Sequence, residues 1–246
     1  MLYMGSNQED CTKVARIINS YIKYPDETEC FDLTVGGANI LDKINCRTLW
    51  GYDISPTLIA LHQSISQDNI FVPPVAFTKE LWDTCYAQWK VIHQQAGPTR
   101  TLEDYAAFAK KQGFHDLSTI GACEWYGSFA HGGFAQGPAP MEKRNYYGEA
   151  RMSHLEQFMD SNYPYINFRV GDYGFVNVPE NAIIIAHINS KKNYQWSGKF
   201  DKFRFYRWAL PKSKTNPIFI IDDNPLIDIQ QIEKLKNGKL YLMGNL

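Results

Sequence analysis

Glu29-Cys30-Phe31-Asp32-Leu33-Thr34-Val35-Gly36-Gly37-Ala38-Asn39, followed by Thr48-Leu49-Trp50-Gly51-Tyr52-Asp53, decides how this chain folds. Residues Glu29 to Val35 read as a strand that runs into two glycines, and Thr48 to Asp53 as a second strand that ends in an acid. Between them Ile40 to Asn45 reads as a short helical piece. Ser55-Pro56 then opens a helix through His62, with proline at a favoured first position. Upstream, Val14, Ile17, Ile18, Tyr21 and Ile22 recur at three- and four-residue spacing, which predicts an amphipathic helix over Gln8 to Ile22. Strand, glycine turn, helix and strand in this order form one half of a doubly wound α/β sheet.

Further along, the pattern changes and then returns. From about Gln67 to Glu149 helices follow one another without apolar strands: Thr78 to Gln94, Thr101 to Gln112, and a Gly-rich aromatic stretch from Trp125 to Phe134. The expected organisation is an α/β body at 1–66 and 150–246 with a helical insert at 67–149. After the insert come a helix (Tyr146 to Met159), strands Tyr165 to Val170 and Ala182 to Ile188, a helix (Phe200 to Leu210) and a strand (Ile218 to Ile221). Tyr241 to Met243 is a further segment able to close the sheet.

Composition narrows the function classes. Of 246 residues 44% are apolar, which fits a folded chain and not a disordered one, and the net charge of −1 argues against a strongly cationic nucleic-acid binder or an acidic DNA mimic. The five cysteines are scattered and never form Cys-x-x-Cys, so they read as reduced core residues. The six histidines lack ligand spacing, and no metal site is expected. The start of the sequence lacks a basic and apolar leader, and no long apolar run occurs, so a cytoplasmic protein without membrane contact is expected.

Charge is unevenly placed. Residues 187–217 hold eight Lys/Arg against one acid, interleaved with aromatics, whereas residues 66–150 hold nine acids against seven basic residues. The bland reading of the basic strip is a solvated helix face. The functional one is a DNA-phosphate contact through Lys191, Lys192, Lys199, Lys202 and Arg204.

Four fragments, in order, resemble the Dam-type DNA adenine-N6 methyltransferases, which use S-adenosylmethionine (AdoMet). They are Tyr3-Met4-Gly5-Ser6, Val35 to Ile44 with its Gly36-Gly37 turn, Gly51-Tyr52-Asp53-Ile54 with Leu58-Ile59-Ala60-Leu61, and Asn145-Tyr146-Tyr147 with Gly171-Asp172-Tyr173 downstream. The resemblance spans essentially the whole chain. It implies an α/β, Rossmann-like class I methyltransferase fold with the helical insert at the target-recognition position. It also implies AdoMet held by Tyr3, Gly5, Gly36, Gly37, Asp53 and Asp172, with Asp53 at the ribose hydroxyls and Asp172 at the adenine amino group.

The resemblance breaks where the chemistry is done. Family members end the relevant strand in Asp-Pro-Pro-Tyr, whose acceptors bind the target amino group and whose ring stacks on the flipped base. Here the positions are His187, Ile188, Asn189 and Ser190. The lysine after Gly-Ser is Asn7, and Glu-Pro-Phe before the glycine turn is Asp32-Leu33-Thr34, so Asn7, Leu33 and Thr34 depart from the pattern beside the cofactor cleft. The reading is a catalytically degenerate relative that acts by binding DNA, a protein partner, or both. The alternatives are an active enzyme in which Asn189 supplies an amide and Tyr194 or Trp196 stacks, and a structural or regulatory subunit of a larger complex.

Overall fold

The computed structural model describes residues 8–68, 79–95, 97, 99–127, 162–188, 200–236 and 238–244. Its centre is one seven-stranded sheet: β1 (Glu29–Asp32), β2 (Thr48–Asp53), β3 (Ile166–Val170), β4 (Ile183–His187), β5 (Ile218–Asp222), β6 (Gln230–Leu235) and β7 (Gly238–Met243). The spatial order is β3-β2-β1-β4-β5-β7-β6, with β1 to β5 parallel and β7 antiparallel to both neighbours. This is the α/β, Rossmann-like methyltransferase fold.

Helices cover the sheet. α1 (Gln8–Tyr21) and α2 (Pro56–Asp68) share one apolar cluster, to which Val14 and Ile18 contribute from α1, Leu58, Ile59 and Leu61 from α2, and Cys30, Leu49, Ile183 and Ile185 from the sheet. α6 (Lys202–Lys212) covers the other face, packing Phe205, Tyr206 and Ala209 on Phe31, Ile184, Ala186 and Ile220. Adjacent residues of β4 point to opposite faces, so a strand buried on both sides reads as the unbroken apolar run Ile183-Ile184-Ile185-Ala186.

Between α2 and β3 lie α3 (Lys79–Gln94), α4 (Leu102–Lys111) and α5 (Leu117–Gly127). They share a third cluster around Trp82, Trp89, Ile92, Tyr105 and Ile120, which reaches Ala60 of α2. α5 approaches α2 so closely that a Cβ on Gly121 would stand 2.2 Å from the Thr57 carbonyl oxygen. α4 begins with a reciprocal capping box between Thr101 and Asp104.

Several expected boundaries move. Regular β1 ends at Asp32, although Leu33 N–H still donates to Ile185 and Val35 N–H to Tyr52, because the chain turns at Gly36 (φ +47°) and Ala38 (φ +58°). The piece after the turn is a single 3-10 turn at Leu41–Lys43, and α2 continues past His62 to Asp68. The predicted helix 146–159 lies outside the described residues, as does 128–134 of the Gly-rich stretch. No described helix is long and apolar enough to cross a membrane.

Candidate ligand cleft at the carboxyl edge of the sheet

The strand order reverses between β1 and β4, and in open α/β sheets the crevice outside the carboxyl ends at such a reversal is where ligands sit. Thr34 follows β1 and His187 ends β4, and the His187 N–H donates to Thr34 Oγ1 at 2.7 Å across this point. Beside it, the turn 35–39 is held from two directions. Gly36 N–H donates to Asp53 Oδ2 at 3.2 Å, and the Gly36 carbonyl oxygen lies 2.6 Å from His62 Nε2.

His62 is wholly buried in α2, stacked on Phe168 at 4.4 Å between ring centroids. A carbonyl oxygen only accepts, so Nε2 carries the hydrogen, and Nδ1, 2.6 Å from Tyr163 Oη, accepts from that hydroxyl. Burial lowers this imidazole to about 3, so it is neutral across the physiological range. The glycine turn is thereby tied to α2 and to the segment before β3 through a single uncharged ring.

Two acids stand beside the turn. Asp53 is buried, and besides Gly36 it takes the Ser55 N–H on Oδ1 at 3.0 Å. Asp32, also buried, takes the Thr34 N–H at 3.0 Å. Desolvation pushes Asp53 up to about 6 and Asp32 up to about 7, and the Asp53 charge adds to the latter shift. Phe31, Leu33 and Ile188, the apolar residues best placed to fill such a cleft, belong instead to the cluster under α6. By alternation along β1, Asp32 points away from that cluster.

At the end of β4 the four positions that differ from the methyltransferase pattern divide. Asn189 and Ser190 lie outside the described residues. His187 is half-buried, and burial lowers its imidazole against the opposing pull of Asp223, Asp222 and Asp10. Ile188 is buried, and its N–H donates to the Ile221 carbonyl oxygen at 2.9 Å. A proline at that position has no N–H and could not make this bond, by which the chain extends the β4–β5 pairing one residue past β4.

Asp172, expected near an adenine, lies in the turn after β3, where it accepts from Gly174 N–H at 2.8 Å. Its two oxygens also take a bidentate pair of bonds from Arg204, at 2.9 and 2.8 Å, with the guanidinium 5.1 Å from the centre of the Tyr173 ring. Lys202 donates to Asp222 at 2.5 Å and to the Asn224 carbonyl oxygen at 3.1 Å, and Tyr206 Oη donates to the same buried carboxylate at 3.0 Å. Lys202 and Arg204 are thus joined to acids of this chain. The sequence alone reads both as surface cations, because their partners come from β5 and from the turn after β3. Lys191, Lys192 and Lys199, together with Tyr3, Gly5 and Asn7, lie outside the described residues.

The sequence reading missed Glu124. It is a buried acid of α5 whose Oε2 lies 3.1 Å from the Thr57 hydroxyl and accepts the Trp89 indole N–H, also at 3.1 Å, while Oε1 has no hydrogen-bond partner among the described residues. A lone acid inside the apolar run Ile120 to Trp125 is the signal that marks it. Among the described residues no three His, Cys, Asp or Glu side chains are disposed to hold a metal ion.

No protein-family model matches the sequence, and no curated protein matches it. Two solved structures of the rRNA methyltransferase aviRa from Streptomyces viridochromogenes, at 2.4 Å and 1.5 Å, are similar to it. Each is 11% identical, with 98% of this chain and 86% of that chain covered and a TM-score of 0.42.

Proposed function

We propose that this chain binds an adenosine-type ligand of the AdoMet class over the turn 35–39, transfers no methyl group to adenine in DNA, and acts through binding to DNA or to a protein partner. The observation that carries the reading is the joining of the glycine turn to Asp53 beside the reversal of strand order. Asp53 accepts backbone N–H groups on both oxygens, Gly36 on Oδ2 and Ser55 on Oδ1, and a carboxylate has further acceptor sites, which suits ribose hydroxyls. The positive φ of Gly36 brings backbone, with no side chain in the way, to the ligand. Two desolvated acids beside this turn also favour a ligand with sulfonium and ammonium charges over a neutral one.

The same edge argues against methyl transfer to adenine. The second motif position is Ile188, packed under α6 and bonded to β5, so no carbonyl is fixed toward a flipped base in the manner the family requires. Calorimetry with AdoMet and with S-adenosylhomocysteine, run beside a methyl-transfer assay on unmodified duplex DNA, tests both halves. The expected result is binding that Asp53→Ala removes and no new methyladenine. Methyladenine that appears with the parent chain and disappears with Asn189→Ala would establish the active alternative.

A further inference from the structure

A chain of polar side chains, buried at Ser55, Thr57 and Glu124 and half-buried at His93, joins the first turn of α2 to α3 and α5, and the ligand reading makes no use of it. His93 Nδ1 lies 2.9 Å from the Trp89 carbonyl oxygen, and His93 Nε2 lies 3.3 Å from Ser55 Oγ. Ser55 Oγ is 3.2 Å from Thr57 Oγ1, which is 3.1 Å from Glu124 Oε2. The same Glu124 oxygen takes the Trp89 indole N–H, so the chain returns to the residue where it began. Ser55 and Thr57 are wholly buried, and Glu124 is 2% exposed.

Its protons can be counted. The Trp89 carbonyl only accepts, so His93 Nδ1 carries a hydrogen and, in a neutral ring, Nε2 is an acceptor. Three contacts remain: Glu124 to Thr57, Thr57 to Ser55, and Ser55 to His93. Two hydroxyls supply two protons. With Glu124 as a carboxylate and His93 neutral, one contact must bring lone pairs together, which a low-dielectric interior penalises. One more proton closes all three. Placed on Glu124 Oε2, it lets the carboxyl donate to Thr57, Thr57 to Ser55 and Ser55 to His93. Placed on His93, it reverses all three bonds.

We propose that Glu124, Thr57, Ser55 and His93 form a buried relay that holds one exchangeable proton and, while it is held, fastens α3 and α5 to the first turn of α2 next to Asp53. Burial puts the proton on Glu124, because it pushes that carboxyl up to about 8 and lowers the His93 imidazole to about 4. Loss of the proton leaves a carboxylate in the helix cluster, opposed by the Asp53 charge, with Oε1 lacking a hydrogen-bond partner among the described residues.

No described cation faces that carboxylate. Glu80, Asp83 and Lys90 of α3 are exposed, as are Glu103, Asp104, Lys110 and Lys111 of α4. The other titratable side chains buried in the cluster are Cys85, Cys123 and Tyr105, none of them a base, and His62 of α2 is engaged with Gly36. The relay itself rests on this geometry. Only its consequence for the cleft, transmitted through the Ser55 N–H to Asp53, rests on the AdoMet reading.

The test follows the indole N–H resonances of the full 15N-labelled chain from pH 6 to 9.5, with the Trp89 signal identified by its loss in Trp89→Phe. The expected result is a Trp89 signal that shifts with a midpoint near pH 8, accompanied by a loss of amide protection, after allowance for the intrinsic rise of exchange with pH, in α3 and α5 but not in β1 and β4. Glu124→Gln cannot ionise, and with its amide oxygen in the place of Oε2 it still accepts from Thr57 and from Trp89, so it should abolish both changes. A Trp89 signal that stays flat in the parent chain, or titrates unaltered in E124Q, overturns the relay. Calorimetry with S-adenosylhomocysteine at pH 7 and pH 9 forms a separate arm. Absence of binding there counts against the ligand reading and leaves the resonance result to decide the relay.

Discussion

Asp53 braces the glycine turn and, in the proposed function, also meets the ligand, and substitution tests both. Asp53→Ala leaves the Gly36 and Ser55 N–H groups without their acceptor, at a cost of about 1–3 kcal/mol each, so calorimetry should show no AdoMet binding and urea unfolding a less stable chain. Asp32 offers a cleaner electrostatic test. Its carboxyl is raised to about 7 from an ordinary value near 3.8, so the stability it contributes is complete below the lower value and is lost as pH rises through the upper one. Asp32→Asn still accepts the Thr34 N–H and has no charge to desolvate. Urea unfolding should find this variant more stable than the parent at pH 7.5, by on the order of 1–3 kcal/mol, with the gain vanishing near pH 4. His62 acts with the opposite sign. Its folded value near 3 lies below the ordinary 6.5, so its contribution is present above the ordinary value and is lost as pH falls through the folded one.

α6 shows how a charged segment is made structural by what lies under it. Lys202 is 13% exposed at its side chain and meets Asp222, which is fully buried, so Lys202→Met leaves a carboxylate whose remaining side-chain donor is the Tyr206 hydroxyl. Removing one partner of a buried pair costs about 3–5 kcal/mol, and chemical unfolding should register it. Arg204 is 47% exposed in its pair with Asp172, and Arg204→Ala should change stability by no more than about 1 kcal/mol. The sequence reveals the apolar face of α6 but not these partnerships, because both acids arrive from distant strands. β2 is read to the residue, Thr48 to Asp53, since an alternating run between turn signals has one interpretation. β6 was not read at all. Gln230-Gln231-Ile232-Glu233-Lys234-Leu235 is an edge strand with one partner, and its polarity reflects its exposure. α5 has no counterpart in the sequence reading, which marks only the Gly-rich stretch from Trp125, and Gly121 lets two helices touch. A methyl group at Gly121 would press on the Thr57 backbone, so Gly121→Ala should cost about 1–3 kcal/mol and loosen the docking of α5.

Taken together, the chain presents a complete seven-stranded α/β sheet with its glycine turn and strand-end acids beside the reversal of strand order. The order β3-β2-β1-β4-β5-β7-β6 sets Gly36, Asp53, Thr34 and His187 along one edge; the alternation of strands and helices predicts a Rossmann-like sheet with Gly36 and Asp53 at strand ends, but not the order of its strands. What the sequence hides is how the edge is tied together: His62 under the turn, Thr34 against His187, and Glu124 against Thr57 are contacts between residues far apart in the chain. The retained turn speaks for a bound adenosine ligand, and the buried, sheet-bonded Ile188 speaks against methyl transfer to a flipped adenine. Calorimetric titration of the parent chain and of Asp53→Ala with AdoMet, with the same samples incubated with unmodified DNA and assayed for methyladenine, tests the two statements at once. Saturable binding by the parent, none by the variant and no methyladenine is the predicted result. Methyladenine formed by the parent, or AdoMet binding unaffected by Asp53→Ala, would contradict it.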